Sequence, residues 1–156
     1  MASPDPFSPA QALRALWADD PDAELPRDPR AGVAALERRY GIAIPEDFRD
    51  YLLRACPAED LWDAGSGHDF IWWGLGRIKN IPDEYEQPIR NPEIASEAHR
   101  YLFFSDYCIW FWAWAICCSD GPNRGKVAVI GDSERFVANS FAQFVETYRT
   151  RPDALH

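Results

Sequence analysis

The spacing of apolar residues predicts three amphipathic helices in the first third of the chain. They cover residues 9–17, 30–40 and 45–55. In the third, apolar side chains recur at i, i+3, i+4 and i+7, the stripe of a helix packed on a core; they are Phe48, Tyr51, Leu52 and Ala55. Ser8 suits the N-cap of the first helix. Gly41 can take the left-handed conformation that ends the second, and Pro45 suits the first position of the third.

After residue 60 the pattern changes to short aromatic and β-branched runs between glycines and polar turns, which predicts strands. The candidate strands are residues 70–73, 76–81, 101–104, 107–117 and 126–130. The polar segment 119–125 favours an antiparallel hairpin between the last two. A final helix is predicted to start near Ser140, because Gln143 completes a Ser-x-x-Gln capping box.

Helices first, then a meander of strands and a closing helix, is the order of an α+β fold. The chain has 156 residues, the size of one domain, and its 47% hydrophobic content supports a core. We therefore predict one domain over residues 1–156, with an antiparallel or mixed central sheet packed by N-terminal helices and a C-terminal helix. Residues 1–8 are predicted to be a loose lead. Residues 82–100, rich in Pro and Glu, are predicted to be a surface excursion in which Asn91 and Pro92 start a short helix.

A tryptophan cluster lies in the 107–117 segment: Trp110, Trp112 and Trp114. On a single strand these side chains share one face, and small alanines that admit helices occupy the other. The tryptophan face would need cover. The 82–100 excursion with Trp72 or Trp73 would make it part of the core. A partner protein or a second copy of the chain would make it an interface, which includes a homodimer through this face.

Two segments of the chain carry a family signature. The first contains Leu36-Glu37-Arg38-Arg39-Tyr40-Gly41, then Ile44-Pro45-Glu46-Asp47-Phe48 and Tyr51-Leu52-Leu53. The second is Val137-Ala138-Asn139-Ser140-Phe141-Ala142-Gln143-Phe144-Val145. They resemble the opening and closing motifs of the SUKH superfamily, over roughly residues 30–150 in outline. The chain departs from the family where members often carry an Asp-Gly-x-Gly-like turn, because Ser105-Asp106-Tyr107-Cys108 stands in that region.

The resemblance implies a domain that acts by binding other proteins. The superfamily contains many bacterial immunity proteins that neutralise toxins, often nucleases, and a yeast cell-wall-synthesis regulator. We therefore expect a bacterial immunity protein that blocks a cognate toxin sterically and electrostatically. The alternative is an intracellular adaptor or regulator that binds proteins of its own cell and inhibits no toxin.

The charge of the chain agrees with a basic protein partner. Net charge is −9, and residues 59–97 contribute −6 of it through nine acidic and three basic residues. Such a surface repels phosphate backbones, which argues against nucleic-acid binding, but it attracts a basic toxin. Solubilising charge on loops is the alternative explanation. Aromatic anchors among charges are typical of binding hot spots, so the candidate partner-binding residues are Asp60, Trp62, Asp63, Asp69, Trp72, Trp73, Asp83, Glu84, Tyr85 and Glu86.

No cofactor, metal site or catalytic set is predicted. The four cysteines form no Cys-x-x-Cys pair and the three histidines show no ligand spacing to them. Reduced, mostly buried thiols are therefore expected, with a zinc site as the alternative. The segment Gly65-Ser66-Gly67 lacks the Lys-Ser/Thr ending of a phosphate loop. An enzyme would require a deep pocket that converges on Asp106, His68 or His99.

A cytoplasmic location is expected. The chain shows no basic segment followed by an apolar one at its start, so no secretory signal is apparent. Its longest apolar run, residues 108–118, has eleven residues, whereas a membrane-spanning helix needs about 20.

Overall fold

Helices from both ends of the chain pack on one face of a seven-stranded antiparallel sheet in the computed structural model, which describes residues 7–63 and 69–156. The helices are α1 (Pro9–Leu16), α2 (Pro29–Tyr40), α3 (Glu46–Arg54), α4 (Ile81–Glu84), α5 (Pro92–Ala95) and α6 (Phe141–Thr150). The strands are β1 (Leu61–Trp62), β2 (Phe70–Trp72), β3 (Lys79–Asn80), β4 (Tyr101–Tyr107), β5 (Trp112–Cys117), β6 (Val127–Ile130) and β7 (Arg135–Ala138). Their order is β1-β2-β4-β5-β6-β7, and β3 pairs with β4. The predicted α+β fold is confirmed.

The helix boundaries follow the capping signals of the sequence. Ser8 Oγ accepts a hydrogen bond from the Gln11 N–H at 3.2 Å and caps α1. Gly41 ends α2 in the left-handed conformation, with φ +62°, as predicted. Pro45 lies one position earlier than predicted, because α3 begins at Glu46 and Pro45 occupies the N-cap.

The two segments that carry the family signature meet in space. Asp47, in the first turn of α3, accepts a hydrogen bond through Oδ2 from the Ala142 N–H at 2.9 Å, at the start of α6. The Phe141 ring lies 5.0 Å from Phe48 and 4.9 Å from Tyr51, between ring centroids. One carboxylate and a cluster of aromatic rings therefore fix α6 against α3 and explain why residues almost 100 positions apart form one signature.

Replacing Asp47 by alanine should lower the free energy of unfolding by about 1–2 kcal/mol, because the Ala142 and Phe48 N–H groups lose their acceptor. Urea denaturation measures this change. Asp50→Ala is the matched control in the same helix: its ion pair with Arg54 is exposed and should contribute at most about 0.5 kcal/mol. Equal losses in the two variants would contradict the account of Asp47.

The 107–117 segment is a hairpin in place of the single predicted strand. β4 ends at Tyr107 and β5 begins at Trp112, so the four residues between them form a turn. They include no glycine, proline, asparagine or aspartate, so local propensity gives no sign of a turn. Trp110 therefore lies in the turn, and only Trp112 and Trp114 share a strand face.

Helix α6 packs on the face of β5 that carries Trp112 and Trp114. The expectation that helices pack on the alanine face is therefore wrong. Trp114 is buried; its ring lies 5.7 Å from that of Phe144 in α6, and its Nε1–H donates to the Leu155 carbonyl at 2.7 Å. Ala113 and Ala115 lie on the opposite face and are buried as well. The chain itself covers this face at Trp114, so that ring is not available to a partner or a second copy.

Smaller differences concern short elements. In the predicted strand 76–81, only β3 is extended, and a 3₁₀ turn, Leu75–Arg77, precedes it. β1 and β7 have no counterpart in the prediction. Residues 82–100 contain α5, which begins after the N-cap Asn91 as expected, and Ile94 within it is buried. In the described part of the chain, no helix combines the length and apolarity needed to cross a membrane.

Candidate protein-binding surface

Two members of the predicted binding surface, Trp72 and Trp73, are fully buried. Trp72 points into the helical layer, where its ring lies 5.3 Å from Trp17. Trp73 lies on the opposite side of the sheet, 5.8 Å from the Phe103 ring. The expected exposure is wrong because Trp72 lies in an inner strand, β2, which pairs with β1 on one side and β4 on the other. Trp73 directly follows β2 and still bonds to β4, where its N–H donates to the Phe104 carbonyl at 2.9 Å. A partner cannot reach either ring.

Asp60 belongs to a charged network around Trp73, on the side of the sheet opposite the helical layer. Its Oδ2 accepts from Arg77 Nη1 at 2.6 Å, and the Arg77 guanidinium stacks 3.9 Å over the Trp73 ring. Trp73 Nε1–H donates to Asp106 Oδ2 at 2.7 Å, and the Trp110 N–H donates to Asp106 Oδ1 at 3.1 Å. Asp106 is only 1% exposed. Burial raises its pKa, and the two hydrogen bonds together with Arg77 oppose that shift.

The predicted acidic residues of α4 are paired within the chain. Asp83 Oδ2 accepts from Tyr40 OH at 2.8 Å and lies 3.2 Å from Arg39 Nη2. Glu84 Oε2 lies 3.8 Å from Lys79 Nζ. With the Asp60 pair, three acidic members of the predicted surface each have a basic neighbour. Basic side chains of the same chain therefore partly neutralise the negative charge of these three residues.

Tyr85 and Glu84 connect this helix to the β4–β5 turn. The Tyr85 ring stacks on Trp110, with centroids 5.5 Å apart and an interplanar angle of 7°. Glu84 Oε1 accepts from Trp110 Nε1–H at 3.1 Å. Glu86 follows in the chain and is exposed. Two residues of the predicted surface, Glu84 and Tyr85, therefore contact the Trp110 side chain.

The remaining predicted residues lie at one end of the sheet. Trp62 is 48% exposed on β1, an edge strand, and pairs with Ile71. The Asp63 N–H donates to the Phe70 carbonyl at 2.8 Å. Asp69 has φ +58°, and its carbonyl accepts from the Cys108 N–H at 2.9 Å. Asp69 thus contacts the β4–β5 turn directly.

The β4–β5 turn, residues 108–111, presents the most exposed large apolar side chains in the described part of the chain. Ile109 is 73% exposed and Phe111 is 65% exposed. Three consecutive residues of the turn are left-handed, with φ +45°, +57° and +64° at Cys108, Ile109 and Trp110. Each L-residue held there costs roughly 1–2 kcal/mol. Residues 108–111 are all apolar or cysteine, so nothing in the sequence marks them as a turn or as an exposed surface.

Acidic residues border the turn on its other side. Gly131 has φ +121°, and a Cβ at this position would lie 3.1 Å from Trp112 Cα, so only glycine lets the β6–β7 loop approach so closely. Asp132 follows it in the loop and lies 3.7 Å from His156 Nε2. The His156 ring stacks on Trp112 at 3.7 Å. Asp153 lines a cavity of about 200 Å³ next to these rings.

The two described candidates for chemistry, Asp106 and His99, lie in different surroundings. Asp106 is buried inside the network described above, and His99 is exposed in a 3₁₀ turn. His68 and the segment 65–67 lie outside the described residues. Burial raises the pKa of the Cys56 thiol to about 12, and Cys117 and Cys118 are buried too. Among the described residues, no group of three His, Cys, Asp or Glu side chains could hold a metal ion.

The fold and this surface define an α+β domain with helices on one face of an antiparallel sheet and exposed apolar side chains at one end of it. The model of the SMI1 / KNR4 family (SUKH-1) matches residues 31–147 of the chain. This match covers 117 of the 156 residues, so the protein belongs to that family. The family is one of immunity proteins and SMI1/KNR4-type regulatory domains, which supports a role in protein–protein interaction. A comparison with curated proteins gave no match.

Proposed function

We propose that this protein is a bacterial immunity protein that binds and neutralises a cognate toxin in the cytoplasm. The observation that carries the proposal is the family match over three quarters of the chain. Its net charge of −9 favours encounter with a basic partner, and a nuclease toxin is basic because it grips a polyanion. The expected mechanism is steric and electrostatic blockade in a stoichiometric complex.

The placement of the titratable groups supports binding without catalysis. Asp106, the buried carboxyl group, is held by Trp73, Trp110 and Arg77 and is closed to a substrate. The Cys56 thiol, with its pKa raised to about 12, is a poor nucleophile at neutral pH. The aromatic and acidic side chains at the surface are instead of the types that anchor a protein partner.

Growth rescue tests the proposal. The C-terminal domain encoded by the neighbouring open reading frame is expressed in a heterologous host, alone and together with this protein. Toxicity that co-expression relieves, with a stable one-to-one complex, is the expected result. Toxicity without rescue would overturn the immunity assignment and favour the regulatory alternative, in which the domain binds proteins of its own cell. Affinity purification from the native host would then identify those proteins.

Charge reversal on the α4 side tests the contribution of the residues predicted from sequence. Glu86→Lys should weaken toxin binding several-fold, mainly through slower association at low salt. Asp83→Lys and Glu84→Lys should weaken it too, but they also lose contacts to Tyr40 and Trp110. Surface plasmon resonance at two salt concentrations measures the rates, and Asp22→Lys, on the exposed turn after α1, is the control. Unchanged rates in all three variants, with intact stability, would remove α4 from the interface.

A further inference from the structure

We propose that the β4–β5 turn is the central anchor of the toxin interface, inserting Ile109 and Phe111 into an apolar pocket that basic side chains border. The inference rests on the proposed function and specifies its binding site. The sequence-based surface contains neither residue, although two of its members, Trp62 and Asp69, lie at the same end of the sheet. The toxin, and not a second copy of this chain, is the occupant that the surrounding charges favour.

In the described part of the chain, Ile109 and Phe111 belong neither to the hydrophobic core nor to the partly buried side chains packed against it. Ile109 and Phe111 are 73% and 65% exposed, whereas the neighbouring strand residues Trp114 and Ala113 are buried. Trp62 is also exposed. It pairs with Ile71 on β2, which in turn pairs with Asp106 on β4, the strand that enters the turn. Two strand spacings, roughly 10 Å, therefore separate Trp62 from that strand. The three exposed side chains can therefore contribute to one interface.

Hydrogen bonds and ring stacking hold the turn in a conformation that its residues disfavour. The Phe111 N–H donates to the Tyr107 carbonyl at 2.9 Å, and the Cys108 N–H donates to the Asp69 carbonyl at 2.9 Å. Trp110 is fixed by its bond to Asp106 and its stacking on Tyr85. A left-handed isoleucine persists only where surrounding contacts enforce it, and such strain concentrates at functional sites. A turn whose backbone is already held by such bonds loses less conformational entropy on binding than a free loop does.

The charges around the tip complement a basic partner. Asp69 contacts the turn through its carbonyl, and Asp132 and Asp153 flank the rings packed behind it. Basic groups at this end include Arg135, at the start of β7, and His156, which is paired with Asp132. Arg77 lies behind the turn and already faces two carboxylates, those of Asp60 and Asp106. The excess is negative. Two copies meeting through their tips would bring these carboxylates together, whereas a basic toxin surface would neutralise them.

Glycine at position 109 separates binding from folding. Ile109→Gly removes the apolar side chain and relieves the left-handed strain, so its midpoint of thermal unfolding should be unchanged or higher. Its affinity for the toxin should fall by about thirty-fold or more, the effect of losing a hot-spot side chain. Phe111→Ser should have a similar effect on affinity. Leu16→Ser, an exposed apolar residue of the helical layer, is the control and should bind as the native protein does.

Calorimetric titration with the purified, catalytically inactivated toxin domain encoded beside the gene measures these affinities. Native binding with a selective loss in Ile109→Gly and Phe111→Ser supports the inference. Native binding that both variants retain would overturn the anchor and leave the immunity assignment intact. No binding by the native protein would overturn the assignment and the anchor together. A native dimer that Ile109→Gly dissociates, with toxin affinity unchanged, would assign the tip to a second copy and overturn the proposal.

Discussion

Replacing Trp72 by alanine should lower the free energy of unfolding by about 3–5 kcal/mol, the loss typical of deleting a large, buried aromatic side chain. Trp72 is fully buried between the sheet and the helices. Its ring lies 5.3 Å from Trp17, 5.1 Å from Tyr148 and 5.9 Å from Phe104. These neighbours are the C-cap residue of α1, a residue of α6 and a residue of β4. The cavity would therefore open where three elements meet and could not close by the movement of one.

Urea denaturation measures this effect, and Trp62→Ala provides a control of the same residue type in the adjacent strand. Trp62 is 48% exposed, so its loss should change stability by at most about 1 kcal/mol. Equal losses in the two variants would contradict the assignment of Trp72 to the core and of Trp62 to the surface.

Replacing Asp106 by alanine should lower the free energy of unfolding by about 2–4 kcal/mol. The change removes the acceptor of Trp73 Nε1–H and of the Trp110 N–H, and buried donors without a partner are costly. It also removes the carboxylate that lies 3.5 Å from Arg77 Nη2. Asp106→Asn keeps the size and one acceptor oxygen, so it should lose roughly half as much. A loss below about 0.5 kcal/mol in the alanine variant would contradict the role of the network.

The pH dependence of stability provides an independent readout of Asp106. Burial raises its pKa in the folded state, so the folded protein holds the proton more tightly than the unfolded chain, whose aspartates titrate near about 3.9. The contribution of Asp106 is therefore largest below about pH 4 and decreases as the pH rises through the raised pKa. The stability difference between the native protein and Asp106→Asn should decrease over the same interval. An increase would show that the hydrogen bonds and Arg77 outweigh burial.

The helical half of the fold could be predicted because its signals are local. Ser8 caps α1 through its own hydroxyl group, and Gly41 ends α2 because it has no side chain to oppose the left-handed conformation. The stripe of Phe48 and Tyr51 reports directly which face of α3 is buried. The contact between Asp47 and Ala142 could not be found in this way, because nothing local marks a bond across 95 positions.

The β4–β5 turn could not be predicted, because its conformation is imposed by its surroundings. Residues 108–111 are typical of a strand, and the left-handed backbone depends on Asp106, Asp69 and Tyr85, all outside the turn. The resemblance to the family indicated a turn near this region, but cysteine, isoleucine and tryptophan occupy its left-handed positions. Because residues 107–117 were predicted as one strand, Trp110 was assigned to that strand, and Ile109 and Phe111 were not included in the candidate surface.

The candidate surface was predicted from composition, which does not distinguish exposed from buried residues. Trp72 and Trp73 lie in an acidic, aromatic stretch of sequence but are buried, Trp72 within the inner strand β2 and Trp73 directly after it. Asp83 lies in the same stretch and is exposed, but it is paired with Arg39, 44 positions earlier. Local sequence gives the sign of the charge, whereas the fold decides how much of it faces a partner.

Titration of the toxin with this protein tests the central claim most directly. The purified toxin domain, held at a fixed concentration well above the dissociation constant, is assayed for its activity as increasing amounts of this protein are added. The account predicts that activity falls linearly and reaches zero at one equivalent, because the complex is tight and stoichiometric. Full toxin activity in the presence of a molar excess of folded protein would contradict it.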